Sequence, residues 1–243
     1  MQPEHDQPAE FDAYAADYHA GLACPLRRWL GKDAESFIAV KAEWLLRELG
    51  RNPALAQAHP SPRLLDYGCG TGTMLRVLRR LGFAGTLVGC DVSAQMLKEA
   101  RRRWREGALP ELAEMPDACA PFRDHEFDLV LLSAVLHHVE PPQRGRTYAD
   151  ALRVLKPGGL LCVFEHNPIN PLARWVVRRT PIDRNAVLLT PGEVRAGLAS
   201  AGARKTRTDY LMFFPPRLTW LRGLERLLHW LPCGAQYVVV AGK

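Results

Sequence analysis

Two hydrophobic periods alternate along this chain. Short apolar runs at Arg63–Tyr67, Thr86–Cys90, Phe127–Ser133 and Leu160–Phe164 read as strands covered on both faces, with a weaker one at Glu111–Glu114. Between them Thr73–Leu81, Ala94–Glu106 and Gln143–Leu155 carry apolar residues at helical spacing. Lys156-Pro157-Gly158-Gly159 reads as a turn on composition. Upstream, Phe11–Gly50 is helical in pattern. Ser36 is placed to cap a helix whose apolar side holds Ile38, Leu45, Leu46 and Leu49, with Gly50 as the stop. Asn52–Pro62, with three prolines, reads as a connection. Beyond Glu165 the rhythm changes. A proline-containing stretch runs to Pro191, then come a helix at Gly192–Ala201, a strand at Thr208–Phe214, a helix at Arg217–Leu231 and a last strand at Gln236–Val240.

Strands alternating with helices imply βαβ units and a doubly wound α/β sheet. No internal repeat breaks the pattern, so the simplest partition is a flexible 1–10, a helical cap or lid over 11–52, and one domain over 53–243 with insertions at 165–191 and 215–232. The chain is 47% hydrophobic and 24% charged over 243 residues, enough for a sizeable core. Its net charge of +6 gathers in clusters such as Arg101-Arg102-Arg103 and Arg178-Arg179. Nucleic acid, an anionic membrane surface and an acidic substrate all fit such a balance. The six cysteines include no C-x-x-C pair, which argues against the common zinc spacings and a disulfide framework and fits a reducing cytoplasm. The first residues are polar and acidic, unlike a signal peptide. Nowhere do the roughly 18 apolar residues of a membrane span run together.

In an open α/β sheet, ligands lie beyond the carboxyl ends of the strands, so each strand end offers candidates. The first ends in Asp66 and runs into Tyr67-Gly68-Cys69-Gly70-Thr71-Gly72. A dinucleotide fingerprint would place its third glycine at position 73, which is Thr73. Asp66 also sets a carboxylate at the mouth of the turn, unfavourable for a pyrophosphate and favourable for a ligand with an ammonium and a sulfonium. S-adenosylmethionine (SAM) is a ligand of that kind, and the turn looks built for it; a plain left-handed turn is the alternative. Asp91, 23 residues after Gly68, suits the two ribose hydroxyls, or else it or Ser93 caps the next helix. Asp117 suits an adenine amino group, with Ala118 and Cys119 or Met96 along the ring; a turn-forming aspartate is the other reading.

The series Leu64–Gly72, Gly89-Cys90-Asp91-Val92-Ser93, Phe127–Ser133 with Leu136-His137-His138, and Leu155–Gly159 resembles class I SAM-dependent methyltransferases in order and spacing. The resemblance covers residues 36–165 most closely. It implies a Rossmann-like seven-stranded sheet of order 3-2-1-4-5-7-6 with an antiparallel seventh strand at Gln236–Val240. It also implies SAM lying across the first two strands, held by Asp66, Gly68, Cys69, Gly70, Gly72, Asp91, Val92, Met96, Asp117, Ala118 and Ser133. Tyr14 and Tyr18 resemble the aromatic N-terminal segment that folds over SAM in small-molecule members; helical packing explains the same pair.

On the acceptor side, His137 and His138 are candidate bases, or packed core histidines. Being adjacent, they are expected to diverge, which argues against a metal pair and leaves no metal expected. Glu165 and His166 leave the fifth strand toward the acceptor, where they deprotonate it or anchor the segment that follows. No Asp/Asn-Pro-Pro-Tyr/Phe tetrapeptide follows the fourth strand, so nucleic acid is a poor candidate. The aromatic and basic run Phe213–Leu231 reads as a core helix, an acceptor clamp or a peripheral membrane contact. The expected activity is transfer of a methyl group from SAM to a small organic or lipid-like acceptor at oxygen, nitrogen or carbon, leaving S-adenosylhomocysteine (SAH). A SAM-binding protein without catalysis and an NAD(P) oxidoreductase are the rivals.

Overall fold

The structure is a computed structural model that describes residues 12, 34–51 and 61–243. After helix α1 (Ala34–Arg51), strands and helices alternate: β1 (Arg63–Tyr67), α2 (Thr73–Arg80), β2 (Thr86–Asp91), α3 (Ala94–Arg103), β3 (Glu111–Glu114), β4 (Phe127–Ser133), α4 (Arg144–Val154) and β5 (Leu155–His166). Then follow α5 (Pro171–Arg179), α6 (Pro191–Ser200), β6 (Arg204–Leu211), α7 (Arg222–Leu228) and β7 (Gln236–Gly242). The sheet order is β3-β2-β1-β4-β5-β7-β6. The β1–β2, β1–β4, β2–β3 and β4–β5 ladders are parallel, and β7 runs antiparallel to both β5 and β6. The expected seven-stranded sheet is therefore present in order and direction.

Side chains alternate across a strand, and here the alternation sorts the core into two layers. Leu64, Leu129, Leu131, Cys162, Phe164, Val238 and Val240 face one side, where α1 and α2 pack through Trp44, Leu45, Leu75 and Leu78. Leu65, Val130, Leu132, Leu161, Val163, Tyr237 and Val239 face the other, against Tyr148, Leu152, Val194 and Leu198 of α4 and α6. Burial on both faces is why these strands carry continuous apolar runs.

Helix α1 is tied down electrostatically. Arg76 and Arg80 of α2 donate to Glu35 at 3.1 and 2.5 Å, and Trp44 Nε1 donates to Asp209 of β6 at 3.3 Å. The helix runs unbroken from Ala34 to Arg51, so Ser36 lies inside its first turn and does not cap it, and Gly50 does not stop it.

Three other expectations need correction. Lys156-Pro157-Gly158-Gly159 is not a separate turn, because β5 begins at Leu155, opposite Phe127. Gly158 takes φ +79 and the ladder slips between Phe127 and Leu129, so an irregular strand absorbs the residues that composition marks as a break. Strand β6 starts four residues before the expected Thr208–Phe214 and stops three residues short of its end. Its backbone pairs with β7 at the sheet edge while Arg204 and Lys205 point to solvent, and edge strands keep such polar residues. The 217–231 helix shrinks to a short 3-10 turn at Thr219–Leu221 followed by α7. The proline-containing 165–191 stretch, in turn, contains α5, with the Asn170 side chain accepting the Ala173 N–H at 2.9 Å and Pro171 in the first turn.

Candidate active site

A cavity of ≈ 620 Å³ opens beyond the carboxyl ends of β1, β2, β4 and β5. Of the expected residues, Asp66, Gly68, Cys69, Gly70, Asp91, Val92, Met96, Asp117, Ala118, Ser133, His137, His138 and His166 line it. Gly72 and Glu165 do not. Tyr14 and Tyr18 lie outside the described residues.

Around β1 the turn is built for close approach. Gly68 takes φ +75, and a Cβ there would stand 2.7 Å from Val135 Cγ2, so the segment after β4 presses directly on the turn. Gly70, at φ +51, has open space where its Cβ would be. Its N–H donates to Asp91 Oδ2 at 2.7 Å, while the Ser93 N–H donates to Asp91 Oδ1 at 3.0 Å. Asp91 thus joins the end of β2 to the glycine turn and borders the cavity. Ser93 is the α3 cap, accepting the Met96 N–H at 3.1 Å. Gly72, at φ +68, caps α2 and packs against Ala100, which explains its absence from the cavity.

Asp66 is 2% exposed, and its Oδ1 is buried without a hydrogen-bond partner. Burial, with the nearby Asp91 carboxylate, raises its pKa to about 7, and Lys41 pulls the other way. Burial also raises the Asp91 pKa, opposed by the N–H groups it accepts. Asp66, buried with one oxygen unpartnered, is the group that a cationic guest would relieve.

The far side of β2 is apolar. Val92 and Met96 border the cavity, with Asp117 and Ala118 opposite. Asp117 and Ala118 both take positive φ, 58° and 52°, an unusual pairing for non-glycine residues. Their loop is held from beneath. The Tyr67 hydroxyl sits 2.9 Å from the Ala118 carbonyl and 3.0 Å from Asp150 Oδ2, which also accepts the Ala120 N–H.

Past β4 the chain turns at Ala134, φ 62, into a 3-10 turn at Leu136–His138. Glu165 is 1% exposed and faces this turn, not the cavity: it accepts the Leu136 N–H at 2.8 Å and pairs with His137 Nδ1 at 2.5 Å. Glu165 therefore cannot touch an acceptor, which corrects the expectation of a direct acid–base role. The two histidines do not diverge either. Their ring centroids stand 4.2 Å apart, and Nε2 of each faces Asp183 Oδ1, at 3.8 Å for His137 and 3.5 Å for His138. Both imidazoles reach toward the same Asp183 carboxylate oxygen, and that shared partner brings the two rings together. Burial disfavours the His137 charge, but the Glu165 and Asp183 carboxylates prevail and hold its pKa up to about 9. Asp183, despite its burial, is held well below the usual carboxylate range by the histidines. His166 lines the cavity 3.4 Å from Gln236 Nε2, with its ring 5.4 Å from that of His137.

Residue-by-residue reading missed Lys41, Tyr67 and Asp183. Lys41 is 2% exposed, lines the cavity and donates to Ser133 Oγ at 3.1 Å. A signal was present: it occupies the apolar stripe of α1, between Ile38 and Leu45. Tyr67 and Asp183 act through partners tens of residues away and leave no local pattern.

The residues fit SAM on the evidence of this cavity: an orphaned buried Asp66 oxygen for the ammonium, open space at Gly70, and Asp91 beside both. The bound cofactor supplies an electrophilic methyl carbon on a sulfonium. Comparison with known proteins agrees. A family model described as "Methyltransferase domain" matches residues 65–163. The ubiquinone biosynthesis O-methyltransferase of Chelativorans sp. is 30% identical over 208 residues, covering 80% of this chain and 76% of that protein. The demethylmenaquinone methyltransferase of Clavibacter sepedonicus is 33% identical over 66% of this chain, and the match spans 63% of its length. The crystal structure of a SAM-dependent methyltransferase from Thermotoga maritima superposes with TM-score 0.65 at 20% identity, covering 96% of this chain and 98% of that one. The chain belongs to the class I SAM-dependent methyltransferases.

Proposed function

We propose that this enzyme methylates a hydroxylated aromatic ring bearing an apolar tail, a quinone precursor in chemical class. The observation that carries the reading is a small apolar pocket of ≈ 60 Å³ beside the cavity, a foothold for the start of such a tail. It shares Phe37, His166 and Gln236 with the cavity wall and is closed on its other side by Leu172, Ala173 and Val176 of α5. A ring in the cavity would then lie near His138, His166 and Ser133 while its tail leaves along α5. The surface beyond is apolar and basic. Ile169, Leu172 and Trp175 are exposed around α5, and Trp220, Leu227 and Trp230 around α7; Arg174, Arg178, Arg217 and Arg226 of the same two segments are exposed as well. Such a face suits an anionic membrane that stores the acceptor. No helix among the described residues is long and apolar enough to cross a membrane. The names of the two curated relatives, both quinone-biosynthesis methyltransferases, support the same acceptor class.

Within the cavity, Asp66 and Lys41 would take the two charged ends of the methionine moiety, Asp91 the ribose and Asp117 the adenine edge. These residues position the sulfonium, and in-line displacement gains most from such positioning and from exclusion of water. His166, which lines the cavity, would be the acceptor-side group to take a hydroxyl proton. The test is SAH formation with a prenylated dihydroxybenzene against the same ring without its tail. Higher kcat/KM for the prenylated ring is expected; equal values, or activity with neither ring, would contradict the acceptor class.

A further inference from the structure

We propose that His137, His138 and Asp183 form a divalent transition-metal site on the acceptor wall of the cavity. The three donors come from two loops 45 residues apart, and their ligand atoms all lie within 4.8 Å of one another. Donors around a tetrahedral ion with bonds of about 2.1 Å stand about 3.4 Å apart, so the observed 3.5 and 3.8 Å contacts to Asp183 Oδ1 need only small side-chain shifts.

A second observation points to the same ligand. His137 Nε2 is buried with no hydrogen-bond partner, 3.8 Å from Asp183 Oδ1, and the residue lines the cavity; its proton would leave as the ion binds. Its other nitrogen, Nδ1, is bound to Glu165 at 2.5 Å. A carboxylate on the far nitrogen is the usual outer support of a metal-bound histidine, fixing the tautomer and turning the other lone pair toward the ion. Glu165 is itself anchored by the Leu136 N–H at 2.8 Å. The sequence thus places an outer carboxylate, two imidazoles and an inner carboxylate in one line of contacts.

Two imidazoles and one carboxylate suit Zn²⁺, Co²⁺, Fe²⁺ or Mn²⁺ better than Mg²⁺ or Ca²⁺, which prefer oxygen. Three protein ligands leave a position open, and this one would face the cavity. A hydroxyl oxygen bound there would lose its proton more readily: the O–H bond would break, the proton would pass to His166 and the electron pair would stay on the oxygen held by the metal. This consequence rests on the hydroxylated acceptor proposed above, whereas metal binding itself does not.

The experiment is titration of chelator-treated full-length protein with Co²⁺, read by absorption of its d–d bands, with SAH calorimetry on the same samples. One equivalent of histidine-ligated Co²⁺ is expected. Affinity should fall at least about tenfold in His138→Ala and in Asp183→Asn, and about 10- to 100-fold in Glu165→Gln. No binding at millimolar Co²⁺, or unchanged affinity in His138→Ala, overturns the site. His138 is the most exposed of the three, so its variant decides the question if Asp183→Asn fails to fold. SAH binding that persists while Co²⁺ binding is absent would overturn the metal site and leave the methyltransferase reading standing.

Discussion

Asp91 and Gly70 form one unit: the carboxylate that ends β2 accepts the N–H of the β1 turn at 2.7 Å. The turn keeps its shape because the neighbouring strand holds it, and the space above Gly70 stays open. Gly70→Ala should therefore act mainly on the cofactor. Alanine at φ +51 costs roughly 1–2 kcal/mol of stability, seen as a modest fall in Tm. Its methyl would occupy cofactor space, so SAH affinity should drop more than about tenfold, a loss beyond the strain cost. Calorimetry beside thermal melts separates the two effects.

The raised pKa of Asp66 has a sign that can be followed. Between the ordinary aspartate value near 3.8 and about 7, the unfolded chain loses its proton while the folded protein keeps it. Apo-protein stability therefore falls as pH rises through this window and is level above it. Asp66→Asn removes the effect, so the variant should exceed wild type in apo stability at pH 8, by up to roughly 4 kcal/mol in the unrelaxed limit.

A ligand ammonium requires the ionised carboxylate. SAH binding should tighten about tenfold from pH 6 to pH 8 in wild type and remain flat in Asp66→Asn. Titrations in buffers of different ionisation enthalpy should show proton release near pH 6 that vanishes above pH 8. A flat wild-type profile would exclude Asp66 as the ammonium partner.

Lys41 is assigned to the carboxylate of the methionine moiety. Lys41→Met keeps the length of the side chain on the α1 stripe and removes its charge. SAH affinity should fall about 10- to 100-fold, the loss of a charged hydrogen bond. Methylthioadenosine, which lacks the amino-acid end, should bind as in wild type. Equal losses for both ligands would mean that Lys41 supports the fold of the cavity and does not contact the ligand.

The sheet was legible because both of its faces are buried, and continuous apolar runs such as Phe127–Ser133 mark such strands. The cofactor side was legible for a related reason: Asp66, the glycines and Asp91 sit at strand ends within short sequence windows. What escaped depends on contacts distant in sequence. Asp183 meets His137 only after α5 folds back, and Lys41 meets Ser133 across 92 residues. The edge strand β6 was misplaced because its polar face is solvated, and a helix-like pattern at 217–231 concealed the break before α7. Glu165 was read as facing the acceptor because position in sequence does not tell which side of a strand end a side chain takes.

The exposed apolar face should bind membranes. Wild type should co-sediment with vesicles of mixed neutral and anionic lipid and lose that association in high salt, since basic residues supply part of the attraction. Trp220→Ser with Leu227→Ser should weaken sedimentation at least about fivefold, each buried apolar side chain contributing on the order of 1.5–3 kcal/mol. SAH binding should be unchanged. Vesicle binding indifferent to these substitutions would remove this face from the account.

The most direct test of the account is calorimetric titration of SAH into wild-type protein and into Asp91→Ala. One site per chain is expected for wild type. In Asp91→Ala, which loses both the ribose acceptor and the anchor of the glycine turn, affinity should fall about 50-fold or more. No binding to wild type, or equal affinity in the two proteins, would contradict the placement of the cofactor in this cavity.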